Sequence, residues 1–241
     1  TPSNSSAASD VYKRQLEDWN RNMDVESVGA TIFEVFLRNL FKNIFVDEMG
    51  ETLFRRFVIL PNIPIRITDH LFRKGKSLWF DDVTTPQKVE TRDEIVLITL
   101  EQTFREMRNS FGDVVYDWRW GNVHTIEFKH ILGRVKPLSC FFNIGPFPIG
   151  GSGTTVNLAG YSIQEQNFAV NVGPSMRQII DLANINHPRR VIPTGQSGHP
   201  LSKHYKDQTP LWLDSKLHQL VMDSRSVKNA DFDLLKLQPS N

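Results

Sequence analysis

The sequence predicts an α+β fold, helical in its first half and strand-rich in its second. Three observations predict it. A broad apolar stripe of helical period covers residues 26–45. A Thr91-Arg92-Asp93-Glu94 capping box opens a second amphipathic run. After residue 123 the helical period gives way to short alternating segments punctuated by glycine.

In chain order, residues 1–10 are small and polar and predict a mobile tail. Ser-Asp-Val-Tyr-Lys-Arg-Gln at 9–15 reads as a translated cloning scar, so residues 1–15 are set aside as a non-native leader and 16–241 taken as one unit. Thr1 is read as the accident of a truncated start and not as a nucleophile. Val28, Ile32, Phe36, Leu40 and Ile44, with Phe33, Leu37, Phe41 and Phe45, predict a helix covered over most of its girth. Gly50 punctuates it, and 52–60 predicts a second short helix ended by Pro61. Behind the capping box, Leu97, Leu100, Phe104, Met107 and Phe111 form the next helical face, closed by Gly112. Strands are predicted over 123–130, 154–158, 168–172, 176–182 and 189–193, with a turn at Gly150–Gly153. No repeat is visible, and helices feeding strands predict one α+β unit, not two independent domains.

The chain has 241 residues, enough for a sizeable core. Its 28 Lys and Arg nearly cancel 27 Asp and Glu, so no basic excess exists to neutralise phosphates and nucleic acid is not expected as a partner. The single cysteine, Cys140, excludes an internal disulfide. No apolar stretch is long enough to span a bilayer.

Residues 195–212 are too polar for core and too organised for a linker. Their side chains are expected to satisfy backbone groups of a long structured loop, with Gly195, Ser197, Asp207 and Gln208 pinning it. A triad of Ser197, His204 and Asp207 would suit an independent hydrolase, but Gly-Gln-Ser-Gly is not the Gly-x-Ser-x-Gly elbow. His199, His204 and Asp207 fit no familiar zinc spacing, so no metal site is expected. His124 and His130 fall on the same expected strand face as Ile126 and Phe128, the pattern of core histidines. Arg177 and Asp181 lie about 13 Å apart along a strand and are not expected to pair.

Three segments carry a family resemblance in the same order. They are Trp120-Gly121-Asn122-Val123-His124; Gly173-Pro174-Ser175-Met176-Arg177 with Asp181; and Gly195-Gln196-Ser197-Gly198, Pro200, Ser202, His204-Tyr205 and Asp207-Gln208. Together they resemble the C-terminal part of the large subunit of the penicillin acylase family, N-terminal nucleophile hydrolases that cleave amides.

The resemblance implies part of a four-layer αββα sandwich. It also implies an amidohydrolase acting on N-acyl amides such as penicillins, cephalosporins or acyl-homoserine lactones, made as a zymogen. Its N-terminal Ser, its oxyanion Asn and its calcium ligands would precede this segment, so no cofactor is expected here and the segment alone would be inactive. The partner would be the upstream remainder of the same precursor, and the location periplasmic or secreted. For Asp181 the resemblance implies a supporting carboxylate, where cephalosporin-acylase-like members carry Glu; a structural ion-pair role stands beside it. A non-catalytic scaffold that kept the fold is the alternative. A piece of this kind would expose apolar surface, Phe33 and Phe41 included.

Overall fold

A computed structural model describes residues 13–165 and 167–229. Thr1 and residues 9–12 of the presumed scar lie outside the described residues. The described residues fall into two compact units, one within residues 13–127 and 145–173, the other within 128–144 and 174–229. Among the described residues all five strands fall after residue 124, and the long helices precede them, as expected.

The first unit is built on α1 (Val28–Phe57). Ser27 caps it, its hydroxyl accepting the Ala30 N–H at 3.1 Å. Gly50, at φ 67°, kinks the helix where the sequence expected a break. Phe41 is fully buried, contrary to expectation, while Phe33 is 39% exposed; α1 already has neighbours on the side that Phe41 faces. α2 (Asn62–Lys74) was not expected, because Pro61 reads as a stop. Pro61 and Pro64 instead occupy the cap and first turn, where a missing N–H costs nothing. A 3-10 turn, Leu78–Phe80, leads to α3 (Arg92–Phe111).

The capping box of α3 forms as predicted, with the Glu94 carboxylate accepting the Thr91 N–H at 2.9 Å and the Thr91 hydroxyl accepting the Glu94 N–H at 3.3 Å. Lys88, and then the Thr91 donors, hold the Glu94 carboxyl down at about 2. The buried face, however, is Ile95, Thr99, Thr103 and Met107, whereas Leu97 is exposed. Thr99 and Thr103 donate their hydroxyls to the carbonyls one turn back, at 2.6 and 2.7 Å, and so present methyl groups as well as acceptors to α1.

The α1–α3 seam is therefore polar. Asn43 donates to Thr99 Oγ1 and Gln102 Oε1, Asn39 donates to Glu106 Oε2, and the buried Arg38 pairs with Glu106. A 3-10 turn, Val115–Trp118, and the single turn α4 (Trp120–Val123) follow. β1 (Thr125–Phe128) and β2 (Ile144–Pro148) form a two-stranded sheet. The strands expected at 154–158 and 168–172 are instead turns and isolated bridges, such as Ser152 with Leu158 and Gly160 with Val172. Val156 is fully exposed and Thr155 uses its hydroxyl on the Asn157 carbonyl, so no buried alternation holds that segment extended.

In the second unit α5 (Lys136–Phe142) and α6 (Thr209–Leu213) each carry Pro in the first turn, and neither was expected. β3 (Arg177–Ile179), β4 (Arg189–Val191) and β5 (His218–Gln219) make an antiparallel sheet, Arg177 opposite Val191 and Arg189 opposite Gln219. α7 (Ser224–Asn229) ends the described chain. Among the described residues no helix is long and apolar enough to cross a membrane.

The buried Arg38 cannot be rehydrated in place if its partner is removed. Glu106→Ala is expected to cost about 2–3 kcal/mol in urea unfolding, toward the low side for a buried pair because Glu106 is 35% exposed. Glu106→Gln, which keeps both acceptor and shape, should cost less than half of that.

Candidate functional site

The first family-like segment forms the floor of the first unit. Backbone bonds from Trp120 N to Ser27 O and from Gly121 N to Val25 O seat it against the start of α1. A Cβ on Gly121 would meet Val25 and Pro148 at 3.0–3.1 Å, a tight fit that favours glycine at this close approach. Trp120 is fully buried and donates its indole N–H to Gly151 O at 2.9 Å. His124 stacks on it, ring centroids 4.2 Å apart, with Tyr161 and Phe168 edge-on around them.

His124 is thus a core histidine, as expected, but it stands just before β1 and not within it. Its Nδ1 lies 2.7 Å from the Phe168 carbonyl, and Nε2 is buried without a hydrogen-bond partner. Burial lowers its pKa to about 4, against the milder pull of the Phe168 and Ala159 backbone. The ring is neutral at physiological pH, with the proton on Nδ1, where it can donate to Phe168. His130 is off the strand as well: it caps a 3-10 turn, Nδ1 accepting the Leu132 N–H, and stacks on Phe142.

Beside this stack lies a carboxylate that sequence reasoning did not single out. Glu34, 5% exposed, accepts the Tyr161 hydroxyl at 2.6 Å and is also hydrogen-bonded by Ser152. Burial raises its pKa, and the two hydroxyls offset part of that rise. Tyr161 is pushed well above its ordinary value by burial and by Glu34, so it stays a donor. Arg38, one turn along α1, places its guanidinium over Phe168 at 4.9 Å. Neither Glu34 nor Arg38 stands out in the sequence; the covering of α1 over most of its girth is what turns them inward. Leu37, Arg38, Ser152, Thr154 and Tyr161 line a cavity of about 20 Å³ next to Glu34, room for roughly one water molecule.

In the second unit, the third segment is a pinned loop. Gln208 accepts the Ile192 N–H at 3.0 Å, lies 3.2 Å from His218 Nε2, and donates its own N–H to Thr194 O. A Cβ on Gly195 would lie 2.1 Å from His204 O and 2.7 Å from Asp207 Oδ1, so this approach requires glycine. His204 Nδ1 meets Asp207 Oδ2 at 2.7 Å. Ser197 does not complete a triad: its hydroxyl accepts the His199 N–H, and its own N–H donates to His204 O. Gln196 and Gly198 are exposed, a Cβ on Gly198 would meet nothing within 4 Å, and no contact explains either residue. The buried Tyr205 donates its hydroxyl to Phe142 O.

Arg177 and Asp181 are apart, as expected, but they do not share a strand face, because β3 ends at Ile179. Arg177 lies over the Trp212 ring at 4.3 Å and donates to the Trp212 carbonyl; burial lowers its pKa. Asp181 is exposed, and its Oδ1 accepts the Ala183 N–H at 2.9 Å, shaping the turn after β3. Among the described residues no Ser, Thr or Cys side chain is hydrogen-bonded to an imidazole.

Between pH 4 and 6.5 the unfolded chain takes up a proton that the folded His124 refuses, so stability rises with pH across that window and is lost on acidification. This residue should contribute about 1.4 kcal/mol per pH unit there. His124→Phe is expected to flatten the dependence of the urea midpoint on pH between 4 and 6.5. Glu34 acts in the opposite sense, its contribution being lost as pH rises toward its raised folded value.

A family profile described as penicillin amidase matches residues 2–229. Acyl-homoserine lactone acylase QuiP of Pseudomonas aeruginosa is 29% identical over 227 residues, 88% of this chain and 26% of its own length. Penicillin acylase 2 proenzyme of Pseudomonas sp. strain SE83 is 36% identical over 213 residues, 87% of this chain and 26% of its own. The chain thus spans about a quarter of the length of the curated relatives it matches. The solved structure of thermostable penicillin G acylase from Alcaligenes faecalis aligns over 89% of this chain and 39% of its own, at 14% identity and a TM-score of 0.48, too slight a likeness to establish a shared fold. The profile match covers the Trp120–His124 floor, the β3 segment and the pinned loop alike: this chain belongs to the penicillin amidase family.

Proposed function

We propose that this chain is the C-terminal part of the large subunit of an amidohydrolase of N-acyl amides, of the penicillin, cephalosporin or acyl-homoserine lactone type. The nucleophile in this reading is an N-terminal Ser in the remainder of the precursor, and this chain contributes to an αββα sandwich around it. The observation that carries the reading is how the family-like residues are used. Trp120, Gly121, His124, Gly195, Gln208 and Arg177 are all committed to packing or to backbone hydrogen bonds. Among the described residues no hydroxyl or thiol is paired with an imidazole that could take its proton. A scaffold so constructed supplies rigidity to chemistry performed elsewhere. Asp181 is the one candidate supporting carboxylate, acting through a group of the remainder when the two are assembled.

Decanoyl-homoserine lactone and penicillin G test the reading. This chain alone should release no acid above the buffer rate, and production together with the precursor's remainder should restore turnover. Turnover by the chain alone would overturn it. In the assembled enzyme, Asp181→Asn should lower kcat about tenfold at similar KM; an unchanged kcat would assign Asp181 to its turn alone.

A further inference from the structure

Between the end of α2 and the start of α3 the first unit has a groove of about 720 Å³, within the range of roughly 300–1,000 Å³ common for small-molecule sites. Its floor is apolar: Leu71 and Phe80 are buried, Trp79 is half-buried, and Val89 stands exposed at the edge. Its rim is cationic, with Lys74 and Lys76 exposed on either side of Gly75. Neighbouring cations are already neutralised, Arg73 by Asp69 and Arg92 by Asp93. Lys74 and Lys76 have no ion-pair partner among the described residues.

The one carboxylate lining the groove, Glu90, is engaged on the other side. It accepts the Asp82 N–H at 3.0 Å and the Thr85 hydroxyl at 3.1–3.2 Å, with Lys88 at 3.9 Å. The groove therefore offers two uncommitted ammonium groups above a surface of aromatic and aliphatic side chains. That pairing of charge and apolar area complements an amphipathic anion: a tail that leaves water and a head that stays at the rim.

We propose that this groove binds a medium-chain monocarboxylate, its tail on Leu78, Trp79 and Val89 and its head between Lys74 and Lys76. The choice of a carboxylate over other anions rests on the proposed amide hydrolysis, which releases one from every N-acyl substrate. The groove would then be a site for the acid product or a related acid, separate from the residues of the family-like segments. No bond is made or broken in it.

Calorimetric titration of this chain with octanoate and with 1-octanol tests the proposal without requiring turnover. Octanoate should bind saturably, and Lys74→Gln/Lys76→Gln should weaken it about tenfold or more. Affinity for 1-octanol should be equal in both proteins, and far-UV circular dichroism unchanged. Val89→Glu, an exposed substitution, should weaken octanoate through repulsion at the floor's edge. Octanoate binding equal in the parent and the double variant, or no saturable binding at millimolar octanoate, would overturn the groove. Either result would leave the amidase reading untouched if the assembled enzyme hydrolyses its substrates; loss of that hydrolysis with octanoate still bound would remove only the identification of the ligand as the acid product.

Discussion

The first unit depends on how α1 disposes of its polar side chains once the helix is buried on nearly every side. Glu34, Arg38 and Asn39 are all under 9% exposed, so none can rely on water. Each uncompensated group would cost several kcal/mol, and the surrounding segments are arranged to prevent that. α3 answers Arg38, Asn39 and Asn43 with Glu106, Thr99 and Gln102, and the 150–168 segment answers Glu34 with Tyr161 and Ser152. Apolar burial drives the helices together, but these pairs decide their register, since a slip of one turn would strand a charge.

The aromatic stack around Trp120 extends the same logic. Tyr161 is shared: its ring packs edge-on against Trp120, His124 and Phe168 while its hydroxyl serves Glu34. His124 is held neutral because burial replaces water with ring stacking and a few backbone contacts. Two ionisable groups of opposite type, Glu34 and His124, thus sit in one interior with pKa values displaced in opposite directions, both toward the uncharged form. Such displacement often marks an active site, yet the cavity beside Glu34, about 20 Å³, holds no more than one water molecule, and desolvation of a packed interior accounts for it.

In the second unit the family-like residues of the loop do structural work of another kind. Gln208 ties the loop to β4 and β5, and Gly195 lets two backbone stretches approach to a distance no side chain would allow. The His204–Asp207 pair, which resembles part of a triad on paper, is an exposed hydrogen-bonded contact three residues apart, a geometry worth little in water.

Composition, capping and periodicity were enough to determine the order of helices and strands, the Thr91–Glu94 box, the kink at Gly50 and the core role of His124. Those are local properties, set by which side chains can satisfy a neighbouring backbone or repeat along one face. Helices opening on Pro61, Pro137 and Pro210 were not legible, because a proline is a stop or a start according to which side of it packs. The inward turn of Glu34 and Arg38, the exposure of Leu97 and Asp181, the burial of Phe41 and the loss of the expected strands at 154–158 and 168–172 were decided by tertiary structure alone. Whether a polar group is buried depends on what lies across from it, and its partners here come from up to 127 residues away, a separation at which sequence spacing carries no information.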